Sequence, residues 1–81
     1  MTQIKRPVEF IVMAKHGVRA ENIRKTLESQ IKGLEFMRYV PFNCIRYRAE
    51  SETYESLQRN YEKQYGDSIS AVQKAEFKVT F

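Results

Sequence analysis

The chain has 81 residues, with 14 Lys and Arg against 10 Asp and Glu, for a formal charge of +4. This length bounds it to a single domain, 1–81, whose modest core would gain from burial through self-association. The lone cysteine, Cys44, excludes an internal disulfide, and the longest apolar run, Phe10–Ala14, is far too short to cross a bilayer.

Met1–Arg6 is polar. Lys5 and Arg6 are followed by no apolar core and no small-residue cleavage site, so no secretory signal is expected. With one reduced cysteine, the expected compartment is the cytoplasm. Pro7, which has no N–H to donate, suits the first position of a strand. In the strand predicted over Val8–Ala14, Val8, Phe10, Val12 and Ala14 point one way and Glu9, Ile11 and Met13 the other. Both sides are apolar in the middle, which predicts a central strand.

Lys15–Arg19 is a short connection. A helix is predicted over Ala20–Lys32, because Ile23, Leu27 and Ile31 recur every fourth residue with Ala20 on the same stripe. Gly33 is expected to end it in the left-handed conformation. Strands are predicted over Leu34–Val40 and Phe42–Ala49, with Pro41 marking the hairpin corner and Asn43 favouring the turn. A second helix, Ser51–Tyr65, carries Tyr54, Leu57, Tyr61 and Tyr65 on one stripe, with Ser51 as its expected cap. Gly66-Asp67 ends it. Ser68–Lys74 reads as a connector from which Ile69 and Val72 pack down, and Ala75–Phe81 alternates as a final strand.

The order strand, helix, strand, strand, helix, strand predicts an α+β fold. It is the ferredoxin-like βαββαβ sandwich, a four-stranded antiparallel-type sheet with two helices on one face. The opposite face is then open. The chain lacks the glycine-arginine loop of acylphosphatases, the CxxC of heavy-metal-binding domains and the aromatic signature of RRM domains.

Function must therefore come from the open face and the loops. Residues 1–40 hold the whole charge excess, and residues 41–81 are balanced. Such asymmetry suits an acidic partner, although modest basicity also keeps a small domain soluble. Strand parity places Phe42, Cys44, Arg46 and Arg48 on the open face, with Met37, Tyr39, Ile11, Met13 and Lys78. Arg38 shares the inward parity of Leu34, Phe36 and Val40 and must escape at a rim or a bulge. The second strand is an edge, apolar on both sides and without Lys or internal Pro, and such an edge invites a partner strand or surface. Met37, Tyr39, Arg46, Arg48 and Lys78 are the expected protein-binding residues, for another protein or a homodimer.

The alternative is RNA or single-stranded DNA held by Arg46, Arg48 and Tyr39. The loop residues Lys15, His16, Gly17 and Arg19 would add an anion site at a helix N-terminus. An ordinary solvated loop carries the same residues. The stacking platform is poor, since the central positions are Ile11, Met13, Cys44 and Arg46.

Catalysis is not expected. His16 and Cys44 would be the base and nucleophile, but parallel pairing of the first and third strands would put them at opposite ends of the sheet. One His and one Cys make no metal site, and no cofactor is expected. The sequence thus predicts a non-catalytic regulator, adaptor or stoichiometric inhibitor, one encoded by a virus or phage included.

Overall fold

The computed structural model describes residues 7–75. Strands β1 (Pro7–Ala14), β2 (Glu35–Val40), β3 (Cys44–Glu50) and β4 (Ile69–Lys74) combine with helices α1 (Ala20–Gln30) and α2 (Ser51–Tyr65), in the order β1-α1-β2-β3-α2-β4. The sheet order is β2-β3-β1-β4, and every neighbouring pair is antiparallel. This is the expected two-layer ferredoxin-like α+β fold.

The core follows the predicted stripes. Phe10, Val12 and Ala14 of β1 and Ile45, Tyr47 and Ala49 of β3 are buried with Ala20, Ile23 and Leu27 of α1 and Tyr54 and Leu57 of α2. Phe10 lies between two tyrosine rings, with centroids 5.9 Å from Tyr47 and 5.2 Å from Tyr54. The rings meet tilted, as their quadrupoles prefer.

The edge strands depart from the expected pattern. In β2, Phe36 pairs with Tyr47 but Arg38 pairs with Arg46, so Met37 is an extra residue that bulges out of the ladder. The bulge carries Arg38 to the open face. It also reverses the parity beyond it, sending Tyr39 opposite Ile45 and Val40 opposite Cys44. The expected placement of Tyr39 on the open face and Val40 in the core is therefore corrected.

The fourth strand is Ile69–Lys74, the segment expected to be a connector. Met13 pairs with Ala71 and Ala14 with Ile69, leaving Ser70 as a second bulge. Ser70 Oγ turns back to the carbonyl oxygens of Met13 and Ala14 at 3.3 and 3.5 Å. Ile69 and Val72 both face the core because the bulge sets them three residues apart. The strand expected from Ala75 onward falls, beyond Ala75 itself, outside the described residues, and so does Lys78.

Helix ends also differ in detail. α1 closes at Ile31, whose N–H donates to Leu27 O. Gly33, at φ +88°, serves the turn that follows rather than the cap. α2 is capped by the backbone of Glu50, without a side-chain bond, and Ser51 is its first residue.

An ionic and aromatic lattice holds β2 against α1. Glu28 Oε2 accepts from Arg24 Nε at 2.6 Å and from the Tyr47 hydroxyl at 3.1 Å. The Arg24 guanidinium carbon stands 3.6 Å from the centre of the Phe36 ring, a cation–π contact. Phe36 in turn meets Tyr39 edge-on at 5.0 Å. Tyr39 is thus part of the packing between sheet and helix.

Burial, and then the neighbouring Glu28 carboxylate, push the Tyr47 phenol well above its ordinary range. Folding holds this group protonated, so its contribution is complete below the unfolded phenol's pKa of about 10 and is lost as pH rises above it. Tyr47→Phe also gives up the Glu28 hydrogen bond, at about 1 kcal/mol. Urea midpoints measured between about pH 9 and pH 11 should fall for the wild-type protein and fall less for Tyr47→Phe. The buried Cys44 thiol, also pushed up, accounts for part of the slope that remains. An equal slope in the two proteins would contradict this role for Tyr47.

Candidate docking face on the open side of the sheet

Ladder register arranges the open face in rows across the strands. At one end Glu35, Arg48 and Glu9 stand side by side; in the middle lie Arg38, Arg46, Ile11 and Gln73; at the other end lie Val40, Cys44, Met13 and Ala71. The face therefore grades from charged to apolar along the strand direction.

The charged end is internally compensated. Arg46 is only 9% exposed, and its Nε and a terminal nitrogen lie 2.7 and 2.6 Å from Glu9 Oε1. Arg48 Nε lies 3.2 Å from Glu35 Oε2, but without hydrogen-bond alignment. Both arginines sit on the expected face. Their carboxylate partners answer much of the charge that a nucleic acid would have to find there.

The apolar end forms a shallow groove of about 400 Å³ walled by Ile11, Met13, Val40, Pro41, Phe42, Cys44 and Ala71, with Gln73 and Lys74 at its edge. Phe42 stands at its rim, 90% exposed. It occupies the turn Pro41–Asn43 at φ 68°, in the left-handed region. A bulky side chain there costs about 1–2 kcal/mol. Asn43 follows at φ 61°, a conformation that asparagine tolerates.

Asn43 supplies the force that holds this turn. Its carbonyl oxygen accepts from the Ala14 N–H at 3.2 Å, and its side-chain oxygen accepts from the Ala20 N–H at 3.0 Å. Its side-chain nitrogen donates to the Val18 carbonyl. One residue thus ties the β2–β3 turn to the end of β1 and to the first residue of α1.

That clasp occupies a donor beside the loop 15–19. Lys15, His16, Gly17 and Arg19 are exposed, and Gly17 adopts φ +88°. Yet the first N–H of α1, which an anion at the helix N-terminus would need, already donates to Asn43. The antiparallel pairing of β1 and β3 also corrects the expected separation of His16 and Cys44. Met13 faces Cys44, so His16 follows at the same end of the sheet. Cys44 is nevertheless a poor nucleophile. Its thiol is buried, donates to the Phe42 carbonyl at 3.3 Å, and is pushed to a higher pKa by burial.

Of the residues expected to bind protein, Arg46 and Arg48 lie on the open face, Met37 projects at the edge bulge, and Tyr39 packs toward α1. Phe42, Val40 and Ala71 complete the groove, with Lys74 at its edge. Sequence reasoning placed Phe42 at the start of a strand and Ala71 and Lys74 in a connector. No cluster of three potential metal ligands occurs among the described residues, and no helix there is long and apolar enough to cross a membrane. Comparison of the chain with family models, with curated proteins and with solved structures finds no match.

Phe42 gains nothing from the folded chain and is strained by it. Phe42→Gly, which relieves the positive φ, should therefore leave the thermal midpoint unchanged or raise it, by up to about 1 kcal/mol of stability. A loss of the 3 kcal/mol or so typical of a core phenylalanine would show that the ring is packed.

Proposed function

We propose that this chain is a non-catalytic interaction module, a regulator or adaptor, that docks on another protein through the apolar end of its open sheet face. The observation that carries this reading is Phe42, held almost fully exposed at positive φ beside an apolar groove. Burying such a ring is worth about 1.5–3 kcal/mol. The chain forgoes that gain and bears backbone strain as well. Strain of this kind collects where a surface is built to meet something else.

Strand addition along β2 is the less favoured route. The Met37 bulge breaks the regular repeat of the edge, and bulges are a common device for blunting it. Nucleic-acid binding also receives less support. Arg46 and Arg48 face carboxylates, the first N–H of α1 already donates to Asn43, and the groove beside Phe42 is apolar.

Affinity capture from lysate of the cells that make the chain, with and without nuclease, tests the proposal. Phe42→Ser and Met13→Glu should each cut protein capture by about tenfold or more while far-UV circular dichroism stays unchanged. Nuclease should make no difference. Undiminished capture by both variants, or capture abolished by nuclease, would reject the reading.

A further inference from the structure

The inference drawn here rests on that docking reading and names the kind of partner segment. The backbone of the open face is saturated, because β1 and β3 are paired on both sides. An extended segment laid across it would leave its own N–H and C=O groups without partners against an apolar surface. The sheet edges, where such a segment would find partners, carry the bulges at Met37 and Ser70. An α-helix brings its backbone already satisfied and needs only an apolar stripe. Four strands at about 4.8 Å spacing give the face a width of roughly 14 Å. That width is the length of about ten helical residues at about 1.5 Å each.

Charge then separates a foreign helix from a second copy. Glu9 and Glu35 answer Arg46 and Arg48. Arg38 is the exposed cation that register places on this face outside those two pairs, among the described residues, while Lys74, opposite the core residue Phe10, lies at the groove's edge. Two copies meeting here would bring Arg38 and its counterpart into one interface, on chains of formal charge +4. A segment bearing carboxylates would complement Arg38 instead.

We propose that the groove takes an acidic amphipathic helix of about ten residues from a partner protein. Its apolar stripe packs on Phe42, Met13 and Val40, and its carboxylates face Arg38.

Selection from a display library of helical peptides, randomised on one face and run against the full chain, tests this. The expected winners carry an apolar stripe and net negative charge, and they shift the amide resonances of Met13, Val40 and Ala71. Their affinity for Arg38→Glu should fall about tenfold at low salt, with the loss shrinking as salt is added. Winners without acidic excess, winners that bind as strands, or a selection that yields none would overturn the inference. Such winners would leave the docking reading standing if Phe42→Ser still abolished their binding. Winners indifferent to Phe42→Ser would sink both. Sedimentation showing a dimer that Phe42→Ser dissociates would assign the groove to a second copy and overturn the acidic-helix proposal alone.

Discussion

Asn43 joins three parts of the molecule through one side chain and one carbonyl: the end of β1 at Ala14, the loop at Val18 and the start of α1 at Ala20. Hydrogen bonds of this kind contribute about 1 kcal/mol each, together more than the 1–2 kcal/mol or so that a bulky residue costs in the left-handed region. The balance decides the shape of the turn. With Asn43 fixed at φ 61°, the preceding residue takes φ 68°, and its ring leaves the chain toward solvent. The exposure of Phe42 is thus a consequence of how the turn is tied to the first strand and helix.

From that tie follows the layout of the face. The clasp sits at the end of the sheet where Val40, Cys44, Met13 and Ala71 lie abreast, and the charged row with Glu35, Arg48 and Glu9 lies at the other end. Carboxylates answer the two arginines that look most available in the sequence, and the groove keeps the unanswered apolar surface. The bulges on β2 and β4 disturb both edges, which favours the face over the edges as the place for a partner.

Much of the fold was legible because its core elements keep regular periods. The Ala20, Ile23, Leu27 stripe and the alternation of β1 and β3 map directly onto buried residues, and the α2 stripe runs from buried Tyr54 and Leu57 to half-buried Tyr61 and Tyr65. The edge strands were read less well because each contains a bulge, and a bulge defeats a period of two. It hid β4 by placing Ile69 and Val72 three residues apart, and it moved Tyr39 and Val40 to faces opposite those their parity predicts. Arg38 was the visible clue, a charge whose parity pointed inward. The Asn43 clasp spans 23 and 25 residues of sequence, so no local pattern announces it. The Glu9 and Glu35 partners were hidden for the same reason, because pairing across strands depends on register.

Asn43 locks the turn and leaves Phe42 beside an open groove. A nuclear Overhauser spectrum of the free protein tests this most directly. Cross-peaks should run from the Asn43 side-chain amide to residues 18–20, with none from the Phe42 ring to the methyl groups of Ile45 or Val12. A Phe42 ring in contact with those core methyls, or an Asn43 amide with no neighbours in the loop, would contradict the account.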